Sequence, residues 1–166
     1  MVSFIFGRRQ EDSLPNGIFT IRKGLNHLYD GDYETAIATF RKVAASRNPR
    51  TSRLVKSVAN FYAYNADRLR EEAKKNTYGN ARRLSFRPAY SRDAWSDVDI
   101  AAILVAPLEG IPSSFLAKLL GRSPEAVRFQ RRYAFKTPLP SWQSERGDRY
   151  TRYTQTRTVA KKIGLV

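Results

Sequence analysis

The chain has no cysteine, a single histidine and few acids: 15 Asp and Glu stand against 30 Lys and Arg in 166 residues. Without cysteine there are no disulfides, zinc–thiolate sites, iron–sulfur clusters or thiol nucleophiles. His27 falls in a helical seam with no nucleophile or carboxylate pair beside it, so imidazole chemistry is not expected. The acids Asp93, Asp97 and Asp99 cluster, but Asp97 and Asp99 belong to the first turn of a helix, where the dipole favours carboxylates anyway. Neither G-x-x-x-x-G-K-[ST] nor G-x-G-x-x-G occurs, so nucleotide binding has no support. Long apolar runs are missing too. Nothing approaches the ~20 residues that span a bilayer, and the opening MVSFIF is shorter than a secretory apolar core. These gaps predict a soluble, intracellular chain, in the cytoplasm and nucleoid or the nucleus. It is expected to be no enzyme and to hold no cofactor and no metal.

What the chain has is positive charge and enough apolar residues to pack. The formal net charge is +15 and 42% of residues are hydrophobic, which argues for a folded protein with a polyanionic partner. The excess is uneven. Residues 1–80 hold 14 basic and 8 acidic residues, residues 81–127 hold 6 and 5, and residues 128–166 hold 10 and 2. Arg82, Arg83, Arg87 and Arg92 all precede Asp93, the first acid of the middle block. A nearly neutral unit thus lies between two basic segments.

The first half reads as helices. Ile18, Ile21, Leu25 and Leu28 recur at helical spacing over 18–30. After Gly31, Asp32 is a predicted N-cap for a segment whose face carries Ala36, Ile37, Phe40, Val43 and Ala44. Asn48-Pro49 ends it. A third, long helix is expected from Thr51 to about Lys75, with a stripe of Leu54, Val55, Val58, Phe61, Tyr62, Asn65 and Leu69. Gly24, Gly31-Asp32-Tyr33, Ala36-Ile37, Phe40 and Lys42 resemble one tetratricopeptide repeat over residues 20–49. Lys23 and His27 depart from it, standing where the family has a leucine and an aromatic residue. The resemblance implies a helical hairpin that packs against a neighbour or contacts a protein partner.

Residues 76–93 mix Asn, Gly, Pro and four arginines with Tyr78, Phe86 and Tyr90, the composition of a linker. Beyond it, WSDVDIAAILVAPLEGIPSSFLAKLLGRSPEAVRFQRRYAF divides into three short helices. Ser96 with Asp99 is a capping-box pattern for the first. Pro107 and Gly110 break it. The second starts near Pro112-Ser113, carries Phe115, Leu116, Leu119 and Leu120, and stops at Gly121. Ser123-Pro124-Glu125 opens the third with a hydroxyl cap, a proline and an acid.

Two short helices joined by a tight glycine turn have the form of a DNA-binding helix-turn-helix. Trp95-Ser96 with its following acids, and Leu116-Ala117-Lys118-Leu119-Leu120-Gly121-Arg122-Ser123, resemble a Myb/SANT-type three-helix domain. Phe115 or Leu116 and Tyr133 stand where that family has further tryptophans, and sigma-factor-like and phage helix-turn-helix domains share the form. The resemblance implies that the third helix enters the major groove. With Ala126, Phe129 or Gln130, and Tyr133 turned inward, Arg128, Arg131 and Arg132 face outward, to read bases or to hold phosphates.

The tail from Lys136 places Arg146, Arg149, Arg152 and Arg157 among tyrosines and threonines, followed by Lys161-Lys162. It reads as an extended basic arm, with Trp142 able to fold back on the core. The sequence therefore predicts an all-α chain in four parts. Residues 1–76 form a helical hairpin or bundle, 77–92 a basic aromatic linker, 93–136 a tri-helical helix-turn-helix domain, and 137–166 a basic extended C-terminal arm. The expected function is duplex DNA binding and transcriptional regulation. The candidate contacts are Arg122, Ser123, Arg128, Gln130, Arg131, Arg132 and Lys136, with Arg82, Arg83, Arg87, Arg146, Arg149, Arg152 and Arg157 in the arms. The alternative is an interaction adaptor whose basic surface binds RNA, the ribosome or an acidic protein.

Overall fold

In the computed structural model the chain is described over residues 15–78, 94–107, 109–135 and 147–165, without the side chains of 76–78, 133–135 and 147–153. Over these residues it is all-helical. The elements are α1 (Ile18–Tyr29), α2 (Tyr33–Ala44), α3 (Arg53–Tyr78), α4 (Asp97–Val105), α5 (Ser113–Leu120), α6 (Pro124–Phe135) and α7 (Gly147–Lys162). Among the described residues no helix is long and apolar enough to cross a membrane.

The helix starts follow from local chemistry. Asp32 caps α2 by accepting from the Thr35 amide at 3.3 Å. Ser96 and Asp99 form the reciprocal capping box of α4: the Asp99 amide donates to Ser96 Oγ at 3.1 Å, and the Ser96 amide donates to the Asp99 carboxylate at 3.3 Å. Ser123 Oγ accepts from the Ala126 amide at 3.1 Å at the start of α6. Gly121 ends α5 at φ 62°, a left-handed conformation that costs glycine nothing and any residue with a Cβ something.

Helices α1, α2 and α3 pack around Ile21, Leu25, Phe40, Val58 and Tyr62, all removed from solvent. Gly24 sets the closeness of α1 and α2: a Cβ there would lie 2.6 Å from the Phe40 ring. On its other side Phe40 stacks on Tyr62 of α3, with centroids 5.5 Å apart. Helix α4 is apolar nearly all round, with Ile100 to Val105 buried without a break, the pattern of a helix enclosed by neighbours. The neighbours come from both halves of the sequence. Tyr62 of α3 donates its hydroxyl to the Ala102 carbonyl of α4. Arg22 of α1 donates to the Val105 carbonyl at 2.9 Å, and the Tyr29 ring meets Phe115 of α5 edge-on at 5.2 Å. The buried apolar residues of α1–α3 and of α4–α7 form one cluster.

The tail departs from expectation. Residues 147–162 are helical rather than extended, and α7 is part of the core: Val159, Ala160 and Ile163 are buried with Thr156. Its face is fixed by polar contacts as well. Gln155 donates to the Trp95 carbonyl at 2.9 Å, and Lys162 reaches Asp97 at 2.8 Å. Of the expected linker, Tyr78 ends α3, and residues 79–93 lie outside the described residues, as do Lys136 and Trp142.

Candidate nucleic-acid interface

Helix α6 is held on two sides. Val127 is buried beneath it, and Gln130, 3% exposed, donates to the Thr156 hydroxyl of α7 at 2.6 Å. Arg131 turns back to the loop that precedes α5. Its guanidinium donates to the carbonyls of Ile111 and Pro107 and to Ser113 Oγ, each at 3.2 Å. That loop has no ladder of its own to satisfy these carbonyls, and the planar fork of donors serves them together. Half-burial depresses the Arg131 pKa below that of free arginine. Burial likewise raises the neighbouring Tyr62 phenol, which stays neutral.

What remains outward is a stripe at helical spacing: Glu125, Arg128, Phe129 and Arg132. Among the described residues neither Arg128 nor Arg132 forms a hydrogen bond or ion pair. Phe129 between them is 55% exposed, a large apolar ring left in water on a charged face. The stripe and the first residue of α5 border an open groove of about 540 Å³, lined by Ser113, Glu125, Arg128, Phe129, Arg131 and Arg132. Two unpaired guanidiniums and a ring on one helix face can grip phosphate oxygens, form bidentate bonds to a base edge, or stack.

Several expected contacts are therefore redirected. Gln130 and Arg131 are not outward: the first is buried against α7 and the second is committed to the loop carbonyls. Of the two residues offered for the inward place, Gln130 takes it and Phe129 is outward. Arg122 is 6% exposed and cannot meet a ligand. It donates to the Asp99 carboxylate at 3.1 Å and to the Ala94 carbonyl at 3.1 Å, and its guanidinium lies 4.7 Å from the Trp95 ring centroid. Ser123 caps α6 with its hydroxyl. Arg157 is exposed on α7; the side chains of Arg149 and Arg152 are not described, and Arg82, Arg83, Arg87, Lys136 and Arg146 lie outside the described residues. Comparison with protein-family models, with curated proteins and with solved structures finds no match. The geometry alone carries the functional argument.

Asp97 and Asp99, beside this unit, are occupied structurally. Asp99 pairs with Arg122, while Asp97 pairs with Lys162 and faces the Gln155 amide at 3.5 Å. The hydrogen bond from Lys162, aided by that amide, holds the Asp97 carboxyl below the usual aspartate range. A carboxylate with a lowered folded-state pKa contributes stability above its unfolded value, and loses it as pH falls through the folded one. The docking of α7 should therefore be constant near neutrality and weaken only below about pH 4. Amide exchange in α7 should accelerate in that range. Asp97→Asn should flatten the dependence; an unaltered acid response in that variant would contradict the assignment. The effect should be modest, because the pair is solvent-screened.

Proposed function

We propose that the chain binds duplex DNA through α6, in the manner of a Myb/SANT-like or related helix-turn-helix domain, and acts in transcriptional regulation. The observation that carries the reading is the stripe of Arg128, Phe129 and Arg132, solvent-facing on a helix whose other faces are held by α5 and α7. A helix about 12 Å across fits the major groove. Arginine offers the fork that matches guanine O6 and N7, and the Phe129 ring can meet a thymine methyl. Arg122 and Arg131 support this helix rather than contact DNA. The exposed Arg157 of α7 adds a phosphate contact beside it, and the N-terminal hairpin serves as a support that can also take a protein partner.

Selection of bound sequences from random duplex DNA tests the reading, and a recovered motif is the expected result. Arg128→Ala and Arg132→Ala should each weaken binding to that motif by about 1–3 kcal/mol, with a smaller loss on random duplex. Neither should lower thermal stability, since neither side chain forms a hydrogen bond or ion pair among the described residues. Equal losses on every sequence would leave phosphate contact alone. Recovery of no motif would turn the argument toward an adaptor that binds RNA or an acidic protein.

A further inference from the structure

The corner between α2 and α3 holds a second concentration of charge, which the α6 stripe does not absorb. From Glu34 to Asp67 the sequence has no intervening acid, and Arg41, Lys42, Arg47, Arg50, Arg53 and Lys56 all fall in that interval. The first five are exposed and Lys56 is half-buried. Among the described residues none of the six side chains forms an ion pair or hydrogen bond. The chain between them is pinned by local bonds. Ser46 Oγ accepts from the Asn48 amide at 3.2 Å, Asn48 Oδ1 from the Arg50 amide at 3.0 Å, and the Asn48 carbonyl from the Thr51 amide at 3.0 Å. Beside the corner opens a groove of about 370 Å³ bordered by Asn16, Thr20, Lys42, Ser46, Asn48 and Thr51. The start of α1 also borders it, and that helix has no acid in its first turn.

Cations gathered without counter-charges among the described residues repel one another and destabilise the compact state unless an anion offsets them. We propose that this corner is a second nucleic-acid-binding surface, which grips the phosphodiester backbone without reading bases. Arginine, hydroxyl and amide side chains are the donors that phosphate oxygens take. Among the described residues the large apolar side chains that stand exposed are Phe19, Tyr29, Tyr64 and Phe129; none lies between residues 41 and 56, where a protein interface would need an apolar centre. The corner sits at the N-terminal end of α1, and Phe115 of α5 meets Tyr29 at its other end. At 1.5 Å per residue these ends are roughly 18 Å apart, and among the described residues the groove at the corner shares no lining residue with the groove along α6. The proposal stands on its own observations and holds whether or not α6 reads bases.

The test uses the full chain and a short random-sequence duplex, with affinity measured across a salt series. Arg41→Gln, Arg47→Gln, Arg50→Gln and Arg53→Gln combined should make the slope of log affinity against log salt shallower by about 3.6, since each lost phosphate contact removes about 0.9. Circular dichroism should record an unchanged fold; Arg47→Gln with Arg50→Gln, both in the connection, provides a milder variant expected to give about half the change. An unchanged slope in both variants overturns the proposal. So does a loss of binding to anionic-lipid vesicles with none on the duplex. Arg128→Ala with Arg132→Ala, measured in parallel, separates the two surfaces. Lost sequence selectivity there with no slope change in the corner variants keeps the reading of α6 and overturns this one; the opposite pattern overturns the reading of α6 and keeps this one.

Discussion

Replacing Arg122 by alanine should cost about 3–5 kcal/mol of folding stability, because it leaves the Asp99 carboxylate partly buried without its partner. The loss is threefold. The ion pair to Asp99 goes, the Ala94 carbonyl loses its donor, and the Trp95 face loses the guanidinium that covers it. Asp99 keeps its bonding at the start of α4, so the helix should remain while the packing around Trp95 loosens. For a chain of this length each kcal/mol lowers the melting temperature by ~2–4 °C, so the expected fall is on the order of 10 °C. Arg122→Met combined with Asp99→Asn should cost less than Arg122→Ala alone, since it removes both charges and keeps much of the volume. Thermal unfolding followed by circular dichroism measures both. A fall of less than about 1 kcal/mol in the single variant would mean that the pair is not desolvated as the geometry describes. The contrast with Arg128 and Arg132, whose removal should leave the melt unchanged, separates the arginines that build the site from those that face a ligand.

That separation was not legible in the sequence. Caps and breaks were, because a cap is settled within four residues: Asp32, Ser96, Ser123 and Gly121 act where the local pattern places them. The fate of an arginine depends on what lies across the fold. Arg122 is buried because Ala94 and Asp99 stand opposite it, and Arg131 is half-buried because the loop ahead of α5 and the first residue of that helix present three acceptors. The sequence leaves the inward place on α6 open between Phe129 and Gln130 for a related reason. Hydrophobicity favours Phe129, but the place goes to Gln130, whose partner Thr156 lies on α7. The helical tail did carry a signal. Thr156, Val159, Ala160 and Ile163 repeat at the spacing of a helix face, a pattern obscured by threonines and tyrosines that are poor helix formers in isolation. Packing on α4 and α6 supplies what propensity does not. One consequence is practical: removing the tail would strip Val159 and Ile163 from the core, so truncation cannot isolate its part in binding.

The second large effect concerns Tyr62, the side chain through which the early helices meet α4. Its ring is fully buried and stacked on Phe40, and its hydroxyl serves Ala102. Tyr62→Ala should cost about 3–5 kcal/mol, as for other large aromatic truncations in cores, a substantial share of the ~5–15 kcal/mol that holds a domain together. Tyr62→Phe should cost only about 1 kcal/mol, because the Ala102 carbonyl still accepts from the Ala106 amide at 3.3 Å. The sharper expectation is where the damage registers. If α1–α3 were an independent module, a cavity beside Phe40 would leave the environment of Trp95 undisturbed. Because the buried residues of all seven described helices form one cluster, unfolding recorded by Trp95 fluorescence, in a Trp142→Phe background, should shift with the helical signal in Tyr62→Ala. The two transitions should coincide, as two-state behaviour requires. A Trp95 transition that stays in place while the helical signal falls earlier would divide the chain in two. The α6 stripe would then rest on a platform of four helices, and the early helices would be free to act as a separate binding unit.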